Sequence, residues 1–313
     1  MIAFRRYLFF FLVVCTALAV GIALGGGPLQ GRLAADEQTA GSHTPDLSST
    51  VASLRRAQLF DDAMSAATSP QVVHDRLAGR AVALLVLPQV GESTVVAVTD
   101  AVLQAGGAIT VVAHISPDLV NPAKKTYVDS LANSSLRGRD DVARAAGAGT
   151  YERISALVAR AYVGHGGHTD FDAEAADIHA ELEGARLVST EEDPLQRGAL
   201  VLVVAPAASA RGELATASNL ISTQLVSTLA AASDGVLVAG PPSSSSPGGL
   251  LSGQTLVKQV QDGSLSTLNV IDSPTGRVAA IYALGATADG QVGSYGTSAS
   301  GPQLPPGLFP VTD

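Results

Sequence analysis

The chain has 313 residues, of which 46% are apolar, and a formal net charge of −9. This apolar content is ample for one large folded domain or two ordinary ones, so a wholly disordered chain is excluded. Only three of the 19 basic residues are lysines, and no segment gathers basic side chains into the stripe that phosphate binding needs, so no nucleic-acid partner is expected.

The N-terminal region predicts a membrane anchor. Residues 7–24 contain no charged side chain, and a helix of that length extends roughly 27 Å, close to the thickness of a bilayer's hydrocarbon core. Arg5 and Arg6 precede it, so the positive-inside rule places residues 1–6 in the cytoplasm and exports the rest of the chain. The alternative is a cleaved signal peptide, for which Ala17-Leu18-Ala19 offers a small-x-small site.

Two short regions connect the anchor to the main exported region. Residues 25–45 are rich in glycine and predict a linker. Residues 46–78 predict a helical segment, with one helix starting at Asp46 or Ser48 and a second at Ser69-Pro70, where a capping serine precedes a proline. Residues 298–313 contain several prolines and predict an irregular tail.

Residues 79–297 predict an α/β domain, with a division into two subdomains near residue 190 left open. Continuous apolar runs predict buried strands at residues 81–87, 109–115, 186–189, 199–204, 235–240, 267–271 and 277–283. Helical spacing predicts helices at residues 92–104, 122–132, 151–163, 173–182, 212–232 and 254–260. Strands that are apolar on both faces are typical of a mostly parallel, helix-covered sheet. The serine-rich residues 241–249 predict a flexible surface loop.

The best metal-site candidate is the segment His165-Gly166-Gly167-His168-Thr169-Asp170. Two imidazoles and a carboxylate in a glycine-rich loop are a ligand set for Cu(II) or Zn(II), with Asp172 or His179 needed to complete it. The alternative is a solvated loop between helices. The only cysteine, Cys15, lies in the predicted anchor, and Met64 is the only methionine after Met1, so the exported region has almost no soft ligand for Cu(I).

Other polar residues favour structural roles. His74 and His114 are interpreted as packing or surface histidines, and Glu191-Glu192-Asp193 as a solvated turn. The serines at 244–246 lack the G-x-S-x-G context of a hydrolase nucleophile. Residues 290–296 are interpreted as a tight turn, because the glycines there lack the Lys-Ser/Thr ending of a phosphate loop. No catalytic residue and no bound cofactor are predicted, with copper the one candidate ligand.

The C-terminal third carries a family resemblance. It contains Ser266-Thr267-Leu268-Asn269-Val270-Ile271-Asp272, then Gly276-Arg277, and finally Gly290-Gln291-Val292-Gly293-Ser294-Tyr295-Gly296. With Leu77-Ala78-Gly79, Gln104-Ala105-Gly106-Gly107-Ala108 and Asn133-Ser134-Ser135 upstream, this sequence resembles the mycobacterial copper transport protein B (MctB) family over most of residues 1–296. The pair Asp272 and Arg277 is expected to form a structural carboxylate–guanidinium contact.

The resemblance implies an actinobacterial cell-envelope protein linked to copper efflux and tolerance, described for the family as an outer-membrane protein. The leading hypothesis is therefore a non-enzymatic, membrane-tethered copper transport protein, which acts as a homo-oligomer or with an envelope protein partner. The alternative is a membrane-anchored interaction or scaffolding module without direct copper binding. A hydrolase-like enzyme is the least favoured, since no nucleophile, base and orienting group stand together in the pattern.

Overall fold

The computed structural model describes residues 43–208 and 212–308. The chain divides into two units, residues 1–61 and residues 62–313. The predicted membrane anchor at residues 7–24 lies outside the described residues, as does most of the predicted linker. Within the described part of the chain, no helix is both long enough and apolar enough to cross a membrane.

The first described helix, α1, spans His43–Val73, so the prediction of a second helix starting at Ser69-Pro70 is wrong. The Ser69 hydroxyl donates back to the carbonyl oxygen of Ser65 within the helix instead of capping a new one. Pro70 is an interior residue of α1, and its fixed φ of about −65° is compatible with a helix.

The rest of the chain alternates between strands and helices, as the apolar runs predict. The strands are β1 Ala81–Val86, β2 Ala108–Ile115, β3 Val188–Thr190, β4 Leu200–Val204, β5 Gly235–Ala239, β6 Ser266–Leu268 and β7 Ser294–Tyr295. The helices after α1 are α2 Glu92–Gln104, α3 Lys125–Ser135, α4 Asp140–Ala145, α5 Thr150–Tyr162, α6 Ala173–Gly184, α7 Glu213–Ala232, α8 Gln254–Gln261 and α9 Pro274–Ala288. Short 3₁₀ helices occupy Pro122–Lys124, Pro242–Ser245 and Leu250–Ser252.

The seven strands in the described part of the chain form one sheet, in the order β3-β2-β1-β4-β5-β6-β7. Every neighbouring pair is parallel except β2 and β3, which are antiparallel, so the sheet is mixed and mostly parallel. The chain first extends the sheet on one side of β1 and then adds β4 on the other side. The gap between β1 and β4 is therefore the topological switch point, where ligands of open α/β sheets bind.

Alternate residues of the central strands pack into separate cores on the two faces of the sheet. In β1, Ala83 and Leu85 belong to the core beneath α5 and α7, whereas Val82, Leu84 and Val86 belong to the core beneath α2 and α9. Because side chains alternate along a strand, a strand covered on both faces is apolar at every position. This is the physical reason for the continuous apolar run in the sequence.

Helix α9 contradicts the strand predicted at residues 277–283. Ser273 caps it, since the Ser273 hydroxyl accepts a hydrogen bond from the Gly276 N–H, and Pro274 occupies the first turn. Most side chains from Val278 to Thr287 are buried. A helix that is buried on nearly all sides has no polar face, so its sequence lacks the 3.6-residue period and resembles a buried strand.

The serine-rich segment 241–249 was also wrongly predicted, because it forms a packed turn rather than a flexible loop. Ser244 is fully buried, and its hydroxyl donates to the Pro241 carbonyl at 2.6 Å. A side chain on Gly249 would come within 2.1 Å of the Ser244 carbonyl oxygen, and one on Gly240 within 2.5 Å of the Ser244 hydroxyl. Two glycines therefore allow the chain to close around this serine.

Gly198 provides a direct test of the close packing at the start of β4. An added Cβ would lie 2.3 Å from the Ala83 backbone nitrogen and 2.6 Å from the Ala83 Cβ. Neither atom has room to move inside the sheet, so we expect Gly198→Ala to lower the free energy of unfolding by about 1–3 kcal/mol. Urea denaturation of the purified protein measures this change.

Gly184→Ala is the matched control, since nothing lies within 4 Å of the Cβ it would add. Gly184 is the last residue of α6, so this variant is expected to unfold at the same or a slightly higher urea concentration. Equal stability of the two variants would show that Gly198 is not closely packed against Ala83 of β1.

Candidate functional site

The predicted metal-binding loop lies at the amino ends of the parallel strands. It follows α5, and Val163 at its start forms a parallel bridge with Gly198, just before β4. On its other side it contacts Asp234, the residue before β5. Sites in open α/β sheets collect at the carboxyl ends of strands, so this loop is at the opposite edge from the usual one.

Hydrogen bonds hold the loop in a defined hairpin. His165 and His168 form an antiparallel bridge, and the His168 N–H donates to the His165 carbonyl at 3.0 Å. The Arg197 guanidinium donates to the carbonyl oxygens of Asp170 at 2.8 Å and His168 at 3.1 Å. The structure therefore brings the two histidines onto one hairpin. The alternative of a solvated loop between helices remains open, since the His165 side chain is 72% exposed.

An unpredicted carboxylate faces this hairpin. The His165 Nδ1 lies 2.7 Å from the Asp234 Oδ1, and the Gly166 N–H donates to the same oxygen at 3.0 Å. The His165 side chain is 72% exposed, so its other ring nitrogen is open to solutes. Nothing in the sequence pairs residues 165 and 234, because their approach depends on the order of β4 and β5 in the sheet.

The two residues offered as completing ligands have other partners. Asp172 caps α6 through the Ala175 N–H and accepts two hydrogen bonds from Arg160, at 2.7 and 2.8 Å. The His179 Nδ1 lies 3.0 Å from the Tyr162 hydroxyl inside the protein. Across residues 43–208 and 212–308, no group of three or more His, Cys, Asp or Glu side chains is arranged to hold a metal ion. The His165, His168 and Asp170 site stays a prediction.

A second histidine–carboxylate pair lies at the antiparallel edge of the sheet. The His114 Nε2 is 3.2 Å from the Glu191 Oε1, and the two side chains are 31% and 51% exposed. Register explains the pair, because His114 on β2 stands opposite Ser189 on β3, two residues before Glu191. The acidic run at 191–193 is thus a partly paired turn, and sequence reasoning missed the pairing because it did not predict the antiparallel register.

The switch point carries a cleft that sequence reasoning also missed. Its volume is about 490 Å³, within the range of small-molecule sites. The lining is largely apolar and includes Leu87, Pro88, Pro117, Val120, Pro206 and Leu214. None of the described residues that line this cleft is charged. The sequence carried one signal for this cleft, namely two apolar runs that each end in a proline, at 87–88 and 205–206.

The C-terminal motif builds the carboxyl edge near β6 and β7. A side chain on Gly276 would come within 1.5 Å of the Val270 carbonyl oxygen, and one on Gly296 within 2.0 Å of the Asn269 Oδ1. These glycines are therefore required by backbone packing. The Arg277 guanidinium reaches Asp272, but it donates to the backbone carbonyl at 3.1 Å and not to the carboxylate that was predicted. Residues 290–296, interpreted from sequence as a tight turn, begin in the turn after α9 but contain strand β7 at Ser294–Tyr295, so that interpretation is only partly right.

Comparison with known proteins gives the lineage. The profile of the family described as copper transport outer membrane protein, MctB, matches residues 1–306. The chain belongs to this family. Proteins named copper transporter MctB from Mycobacterium bovis and Mycobacterium tuberculosis are 27% identical to it over 140 residues, which cover 44% of this chain and 45% of each relative. The chain therefore aligns with less than half the length of these relatives.

Acid titration tests the ion pairs beside the histidine hairpin. Desolvation by itself raises the pKa of Asp172, but hydrogen bonds from Ala175 and Arg160 and the Arg160 charge outweigh it and hold this pKa below its ordinary value. A depressed folded pKa stabilises the protein above the unfolded pKa, about 3.9 for aspartate, and the benefit disappears as pH falls through the folded pKa. We expect the urea midpoint to fall as pH drops below 4.

Arg160→Met is the informative variant, because the Asp172 pKa then moves back toward its ordinary value. Its urea midpoint should be lower at pH 7 but should change less between pH 7 and pH 3 than that of the wild type. An identical pH dependence in the two proteins would mean that Arg160 does not stabilise the ionised Asp172.

Proposed function

We propose that this chain is a non-enzymatic cell-envelope protein that contributes to copper export or tolerance. The observation that carries the proposal is the family match over residues 1–306, supported by the mycobacterial relatives named copper transporter MctB. Because those relatives align over 45% of their length, the copper function is inferred for this chain and not transferred from a full-length match.

The proposal includes a location in the envelope. The predicted anchor at residues 7–24 tethers the chain, with residues 1–6 in the cytoplasm and the α/β unit outside the membrane that holds the anchor. The family's description adds an outer-membrane association.

The histidine hairpin is the proposed contact for copper. His165 and His168 offer imidazole nitrogens, which suit Cu(II). Two carboxylates are close to them: Asp170 follows His168 by two residues in the chain, and Asp234 contacts His165. Cu(II) binding at the exposed Nε2 of His165 is compatible with the contact to Asp234, because the Nδ1–H of a metal-bound histidine typically donates to a carboxylate. Copper is here the cargo of the protein and not a resident cofactor.

A growth experiment tests the proposed role. Deleting the gene is expected to lower the copper concentration that stops growth and to raise cell-associated copper, because export or sequestration in the envelope is lost. Growth curves in graded copper, together with metal analysis of washed cells, measure both effects. Zinc challenge is the control, and wild-type sensitivity to copper in the deletion strain would contradict the proposal.

Calorimetric titration tests the direct contact. The full-length protein in detergent is expected to bind Cu(II) with micromolar or tighter affinity, and the double variant His165→Ala, His168→Ala is expected to lose that binding because both imidazoles are gone. Cu(I) is expected to bind weakly, since the region after the anchor offers a single methionine and no cysteine.

His74→Ala is a matched control for this titration. The His74 side chain is also 72% exposed and lies 3.0 Å from the Asp75 carboxylate, much as His165 lies beside Asp234. We expect it to bind Cu(II) like the wild type. If the double variant binds Cu(II) as tightly as this control, the copper contact lies elsewhere in the chain. If neither variant binds Cu(II), the protein makes no direct contact with copper.

A membrane-anchored interaction module is the second candidate, favoured by the exposed apolar side chains of α1 in the first unit. Leu47, Val51, Leu54 and Leu59 are each between 57% and 66% exposed. Contiguous exposed apolar side chains typically mark a surface that another protein covers, here a second copy or an envelope partner. A copper-sensitive deletion strain combined with no Cu(II) binding by the purified protein would favour this reading over direct copper handling.

A further inference from the structure

A second cleft, which we call the hydroxyl-lined cleft, lies where β5, β6 and β7 end. It has a volume of about 550 Å³, within the range of small-ligand sites. Its walls include Ser245, Ser246, Thr267, Asn269, Tyr295 and Gln303. None of the described residues that line it is charged. The cleft thus presents hydroxyl and amide groups, a composition that copper binding does not explain.

The walls are held in place before any ligand arrives. The Asn269 side chain clamps the turn after β7, since its Nδ2 donates to the Thr297 carbonyl at 2.9 Å and its Oδ1 accepts from the Thr297 N–H at 2.8 Å. Gln303 is fixed by two backbone hydrogen bonds to Gly296, both 2.8 Å long. Preorganised walls avoid part of the entropy cost of binding.

The serine wall is equally fixed, although its outer hydroxyls are exposed. Ser245 and Ser246 follow the buried Ser244, which anchors this turn to the Pro241 carbonyl. On the opposite wall, the Thr267 hydroxyl donates to the Ser294 hydroxyl at 3.0 Å, which leaves the Ser294 hydrogen available to donate. The serine hydroxyls of the cleft are able both to donate and to accept a hydrogen bond, whereas the Thr267 hydrogen is already used.

We propose that the hydroxyl-lined cleft binds a neutral oligosaccharide. Sugar hydroxyls are donors and acceptors at once, as are the serine hydroxyls that line the cleft, and the Gln303 amide adds one group of each kind. The Tyr295 side chain packs against the core beneath α2 and α9, so recognition in the cleft rests on hydroxyl and amide groups. An anionic ligand lacks a cationic partner here, and a metal ion lacks a carboxylate or imidazole.

Glycan binding by the full-length protein tests this proposal. An array of linear oligosaccharides of three to five units, both neutral and uronic-acid-containing, identifies the probe, and calorimetry with the best neutral compound then gives its Kd. Free monosaccharides form a separate arm that distinguishes a single sugar from a chain. We expect saturable binding of neutral oligosaccharides, with acidic ones bound weakly or not at all.

The triple variant Ser245→Ala, Ser246→Ala, Gln303→Leu is expected to raise the Kd by about tenfold or more, because it removes three hydrogen-bonding groups. All three side chains are exposed, and circular dichroism checks that the fold is unchanged. Ser243→Ala is the matched control, since Ser243 is exposed on the same turn but does not line the cleft.

Equal weakening in the triple variant and the Ser243 control would overturn the proposal. So would the absence of neutral binding across the array, or a preference for uronic acids. The copper titration of the His165 and His168 variant is unaffected by any of these outcomes, so the two ideas fail separately.

Discussion

The double covering of the central strands is the constraint on which the rest of this structure depends. Val82, Leu84 and Val86 pack on one face of β1 while Ala83 and Leu85 pack on the other, so the strand tolerates no polar side chain. At such a sheet the polar groups that bind ligands are confined to the ends of the strands. The histidine hairpin, the switch-point cleft and the hydroxyl-lined cleft all lie at strand ends for this reason.

Much of the fold was predictable because its signals are local. The run at 81–87 gave β1, and the bounds predicted for α2, residues 92–104, match Glu92–Gln104. Helix α9 was not recognised, since burial on nearly all sides removed its period, although Ser273-Pro274 carried a standard start signal. Ser244 was assigned to a flexible loop because composition alone does not show that Gly240 and Gly249 leave room for a buried serine.

The candidate sites were less predictable, because they depend on strand order. The two histidines of the hairpin were identified from spacing alone, but Asp234 lies 2.7 Å from His165 only because β5 is the neighbour of β4. Likewise, His114 meets Glu191 only through the antiparallel register of β2 and β3. Arg277 reaches Asp272 as predicted, but the predicted contact with the carboxylate is replaced by a hydrogen bond to the Asp272 backbone carbonyl. Family membership, in contrast, was confirmed.

The placement of the histidine hairpin before β4 has one further consequence. Strands of five residues, such as β4 and β5, separate the amino edge from the carboxyl edge by roughly 17 Å at about 3.3 Å per residue. Under the two proposals, a solute at His165 therefore does not collide with a glycan in the hydroxyl-lined cleft. A molecule held through a glycan at its carboxyl edge would keep its amino edge open for copper to bind and leave.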